Sequence, residues 1–113
     1  MSQVEGRAER IGLNEALFRE VNERIEDVAD ALRSNPETLE ILCECGSASC
    51  TERITLPRAD YESLRSDAHL FAVYPGHDEP TVEEVVSRHE GYDVVRKCAG
   101  TAEKIAEETN PRG

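Results

Sequence analysis

The chain has 113 residues, with 24 acids against 13 Lys and Arg and a formal net charge of −11. That length supports one core of modest size, and so acidic a surface repels phosphate backbones and anionic lipid, which argues against nucleic acid or membrane as partners. Leu, Ile, Val and Phe make up only about a fifth of the residues and Trp is absent, so the fold gains from an added cross-link such as a bound metal ion.

Residues 1–10 (MSQVEGRAER) are polar and without period, which predicts a mobile tail. They lack the apolar centre of a secretion signal, and no apolar run approaches a membrane span, so the expected location is the cytoplasm. Asn14 reads as an N-cap opening a helix to about residue 33, ended by Ser34-Asn35-Pro36. Along it Leu17, Val21, Ile25, Val28 and Leu32 recur at helical spacing, with Leu13, Phe18 and Ala29 widening the stripe. The stripe is expected to pack on the protein's own sheet, with Glu15–Arg19 and Glu20–Arg24 pairing on the wet face. The same residues also read as a short heptad seam from Phe18 to Leu32, which would make a dimer through this helix.

Residues 38–44 (TLEILCE) and 53–56 read as strands, and Pro57 opens a short helix to about residue 66 with Tyr61 and Leu64 facing inwards. Residues 69–74 (HLFAVY) are a third, strongly apolar strand, after which Pro75-Gly76 forms a tight turn. Residues 82–88 suit either a brief helix capped by Thr81 and Glu84 or a strand; a helical turn with strand from about Val85 is expected. His89-Glu90-Gly91 then turns the chain into a strand over 92–97, completing a hairpin. Residues 102–108 predict a frayed last helix and 109–113 a loose end. The fold class is therefore α+β, a single domain over residues 11–108, with a long amphipathic helix on a small, mainly antiparallel sheet.

The run CECGSASC places Cys43, Cys45 and Cys50 within eight residues. Residues two apart on a strand project to the same side, so Cys43 and Cys45 converge. Gly46 lets the backbone turn so that amide groups support the thiolates, and Ser47-Ala48-Ser49 returns Cys50 to the same point. In a reducing compartment such a cluster points to metal rather than disulfides. Three thiolates leave a tetrahedral zinc site one ligand short. His77, presented by the Pro-Gly turn, is the leading fourth ligand and Cys98 the alternative; His69 and His89 look like ordinary strand-start and turn residues. Buried reduced thiols, a redox disulfide and an iron–sulfur cluster recruiting Cys98 are the competing explanations.

The segments NEALFREVNERIEDVA (14–29), CECG-x3-C (43–50), FAVYPGH (71–77) and GYDVVRK (91–97) together resemble a family of small, mostly uncharacterised bacterial proteins. In that family the cysteine trio and the PGH histidine go together. The resemblance thus implies ligand roles for Cys43, Cys45, Cys50 and His77 and leaves Cys98 an ordinary strand residue. It implies no activity.

No Gly-rich phosphate loop, nucleophile elbow or paired-carboxylate motif is present. Glu44 and Glu52 are the acids nearest the thiolates that a catalytic zinc would need as a base. The expected function is a non-enzymatic, zinc-stabilised protein–protein interaction module, regulatory in character, whose partner is another protein. A redox- or zinc-responsive thiolate switch and a small zinc enzyme are the alternatives.

Overall fold

The computed structural model describes residues 3–31 and 37–113. Helix α1 (Gln3–Ala31) is followed by strands β1 (Thr38–Leu42) and β2 (Arg53–Pro57), then helix α2 (Arg58–Arg65). Strands β3 (Leu70–Val73), β4 (Glu83–His89) and β5 (Tyr92–Lys97) come next, and helix α3 (Thr101–Glu108) closes the order. The class is α+β, as expected.

All strand pairing is antiparallel. β1 and β2 form one ladder, with Leu39 opposite Leu56 and Ile41 opposite Ile54. β5 lies between β3 and β4 in a second sheet, with a register shift between Val85 and Ser87. Alternation explains which residues turn inwards: Leu39, Ile41, Ile54 and Leu56 from the first pair meet Tyr61 and Leu64 of α2, Ala72 of β3 and Tyr92 of β5. A second apolar cluster joins Cys43 and Cys45 to Phe71, Val73, Val95 and Ala106. The hairpin at residues 89–92 is as predicted. Strand β4, however, starts at Glu83 rather than near Val85, and the helical turn is confined to the Glu79 carbonyl, which accepts from the amides of Val82 and Glu83.

Helix α1 departs most from expectation. It begins at Gln3, so residues 3–10 are helical rather than a tail, and Asn14 lies within the helix instead of capping it. Its predicted end, Ser34-Asn35-Pro36, lies outside the described residues, as does Leu32. The orientation is also inverted. Leu13, Leu17 and Val28 are 51%, 60% and 57% exposed, and Val21 is exposed beside them. Buried in their place are Ile11, Glu15, Arg19, Asn22, Glu23 and Glu26. The Glu15–Arg19 pair expected on the wet face is inside, while Glu20–Arg24 does lie outside, 3.7 Å apart.

The physical reason is the surface that α1 covers, which presents charges and backbone atoms. Lys97, fully buried at the end of β5, is held between Glu15 and Glu83. Arg19 donates to the carbonyls of Ala68 and Ala106, both at 2.8 Å, and to the Thr109 hydroxyl at 3.0 Å, tying α1 to the last turn of α3. Its guanidinium lies 4.6 Å from the centre of the Phe71 ring. Burial pulls Arg19 down to about 10, so it stays cationic at neutral pH. Asn22 bonds to the backbone of Leu42 through both its amide nitrogen and oxygen, each at 2.9 Å. A leucine at any of these positions would leave buried polar groups unpaired.

The end of the chain is likewise tied down rather than loose. Arg112 donates to Glu23 at 2.8 Å, to Glu26 at 2.9 Å and to Glu62 at 2.5 Å, joining residues 109–113 to α1 and α2.

Candidate metal centre

The chain beyond β1 continues extended, with the Cys43 amide donating to the Glu52 carbonyl and the Glu44 amide to the Ala72 carbonyl. That keeps Cys43 and Cys45 on one side of the backbone and turns Glu44 to the other. The loop 46–49 brings Cys50 back. On the facing segment, the His77 amide donates to the Tyr74 carbonyl at 2.9 Å. Gly76 has φ +86°, so Tyr74-Pro75-Gly76-His77 is a type II turn, which needs glycine at its third position. This turn aims the imidazole at the sulfurs, and the Tyr74 ring packs against it at 5.2 Å.

The ligand atoms of Cys43, Cys45, Cys50 and His77 all lie within 4.8 Å of one another. His77 Nδ1 is 3.7 Å from Cys43 Sγ and 3.6 Å from Cys50 Sγ. Cys43 and Cys45 are buried; Cys50 and His77 are half-buried. The four residues form a Cys3His group able to hold a metal ion. Cys98 is exposed and not part of it.

Amide donors converge on the sulfurs: Tyr74 donates to Cys43 Sγ at 3.1 Å, Ser47 supports Cys45 and Glu52 supports Cys50. The Cys43 thiol bonds to Cys45, which drops Cys45 to about 5, while that bond and burial push Cys43 up.

Gly46 serves a purpose other than the one its position suggested. It is absent from the glycines with positive φ. Instead, a Cβ there would sit 2.5 Å from Ile11 Cγ2, and the Gly46 carbonyl accepts from Asn14 Nδ2 at 2.9 Å. Glycine is needed so that α1 can lie directly on the cysteine loop.

Glu44 has a role that sequence reasoning missed. Its buried carboxylate accepts from Arg65 at 2.7 and 2.9 Å, from Asn22 at 2.8 Å and from the Ala72 amide at 3.1 Å. It fixes the strand between the two cysteines from behind and points away from them. Glu52, the other acid considered as a base, is exposed. The alternation of TLEILCEC, which turns Glu44 to the face opposite the cysteines, was the available signal. Its partners lie too far along the chain to be read.

His69 lies just before β3 rather than opening it, and its Nε2 is 3.0 Å from Glu107 of α3. With Glu103 these bring three potential ligand atoms within 4.8 Å of one another, at a half-buried to exposed position. His89 is exposed at the end of β4, stacked on Tyr92 at 4.6 Å. Among the described residues, no helix is long and apolar enough to cross a membrane. No family model, curated protein or solved structure matches the chain.

Proposed function

We propose that this protein is a non-enzymatic, zinc-stabilised protein–protein interaction module working in a reducing, cytoplasmic setting. Zinc suits the donor set and its spacing. A tetrahedral ion with bonds of about 2.3 Å to sulfur and about 2.0 Å to nitrogen separates those atoms by about 3.5 Å, close to the 3.6 and 3.7 Å here. Four protein donors fill that shell and leave no position for a reacting water. The engagement of Glu44 by Arg65, Asn22 and Ala72 supports the same reading, because it removes the nearest acid from any role as base.

The observation that carries the interaction role is the row of uncovered apolar side chains on α1: Leu13, Leu17, Val21 and Val28. Contiguous exposed apolar surface on a small protein marks a contact site. A photo-cross-linking residue at Leu17 is expected to attach to a polypeptide in cells, whereas the same residue at the exposed Thr55 of β2 is not. Equal labelling at both positions, or turnover of a substrate by the zinc-loaded protein, overturns the proposal.

A thiolate switch is the second reading, favoured by the partial exposure of Cys50 and His77. Mild peroxide is then expected to release zinc and lower thermal stability. Retention of both excludes it.

A further inference from the structure

We infer that the partner of the α1 face is a second copy of this chain, docked antiparallel through Leu13, Leu17, Val21 and Val28. This rests on the reading of α1 as a contact face and adds the identity of what covers it. The row from Leu13 to Val28 extends about 22 Å along the helix, and Val21, Arg24, Ile25 and Val28 line a shallow groove of about 320 Å³.

Charge selects the occupant. Between residues 10 and 28 the exposed charged side chains of α1 are Arg10, Glu20, Arg24 and Asp27, two of each sign. The face therefore carries little net charge in a chain whose net charge is −11, so it is not built to attract a basic partner. Parallel pairing in register would set Arg10, Glu20 and Arg24 each against its own copy, like charge on like. Antiparallel pairing centred on Val21 instead sets Leu17 beside Ile25 of the second copy and Leu13 beside its Val28. The same arrangement brings Arg24 within one turn of Glu20 of the second copy. Each contact occurs twice about the dyad, which is the self-complementarity a two-fold interface demands. A single helix face buries less than the ~800 Å² per partner of a standard interface, so the dimer is reversible.

Sedimentation equilibrium of the full zinc-loaded chain tests this. Wild type is expected to pass from monomer to dimer across roughly 1–200 µM, the range in which interfaces of this size dissociate. Leu17→Lys should weaken association at least tenfold with an unchanged circular dichroism spectrum, since the residue lies outside the core. Arg24→Glu should also weaken it, and Glu20→Arg combined with Arg24→Glu should restore it. A wild type that stays monomeric throughout, a Leu17→Lys variant that still dimerises, or a double swap that recovers nothing refutes the inference. If wild type is monomeric while the cross-linker at Leu17 attaches to a different polypeptide in cells, the second copy is wrong and the contact face stands. No cross-link at all removes both.

Discussion

Replacing Leu17 and Arg19 separately with alanine distinguishes the two possible orientations of α1. By ordinary amphipathic logic, Leu17 is core and Arg19 surface, and truncating a core leucine costs about 2–5 kcal/mol. In the structure Leu17 is 60% exposed and Arg19 1% exposed, which reverses the expectation. Leu17→Ala removes atoms that are mostly wet already and should cost no more than ~0.5 kcal/mol. Arg19→Ala deletes a buried cation that donates to Ala68, Ala106 and Thr109 and leaves those acceptors without it. Hydrogen bonds to charged groups contribute ~1.5–3 kcal/mol each, but these three share one guanidinium, and losing a buried charged partner costs ~3–5 kcal/mol as a whole. Urea unfolding followed by circular dichroism, with excess zinc and at about 1 µM chain so that association does not contribute, measures both. A Leu17→Ala loss above ~2 kcal/mol, or an Arg19→Ala loss below ~1 kcal/mol, contradicts the inverted helix.

At the metal centre, Cys45→Ser is expected to abolish zinc binding by elemental analysis. His77→Ala should weaken it by more than the ~10–100-fold typical of losing an outer-shell partner; unchanged affinity in His77→Ala would mean another fourth ligand. Gly46→Ala should cost about 1–3 kcal/mol through its clash with Ile11. Adding Ile11→Ala should recover part of the Gly46-specific loss in a double-mutant cycle, and simple additivity would show that the contact is not the cause. Burial, then its bond with Glu62, raises Glu26 from 4.5 to about 7. Because the folded state holds that proton more tightly, the stability contributed is full below 4.5 and is lost as pH rises through 7. Glu26→Gln should therefore gain on wild type between about pH 5 and pH 8 in urea midpoints, and a constant difference would refute the assignment.

Strands β1, β2, β3 and β5, the hairpin at 89–92 and the four residues of the candidate metal centre could be read from local pattern. Each depended on neighbours in sequence: alternation in TLEILCEC, a Pro-Gly turn ahead of His77, a Gly at the turn into β5. The orientation of α1 had no such local signature. Its buried face is polar because Lys97, the Ala106 carbonyl, the Leu42 backbone and Arg112 are what it meets, and all are remote along the chain. Hydrophobic periodicity finds an apolar stripe correctly and assumes that the stripe is the inside. Here that assumption failed, since satisfying buried donors and acceptors outweighed covering Leu13, Leu17 and Val28. The extension of the helix back to Gln3 was missed for a related reason: its first turns carry few apolar residues, although Arg7 reaches Glu79 at 3.4 Å.

The anchoring of Arg112 on Glu23 and Glu26 has a consequence for how the molecule is made. Helix α1 is translated before β5, α3 and Arg112, which supply Lys97, the Ala106 carbonyl and the guanidinium that claim much of its inner face. Until synthesis has passed Arg112, one side of the helix offers unmatched carboxylates and the other bare leucines. The helix is thus secured well after it emerges, and nascent chains halted before residue 97 should leave it open to protease.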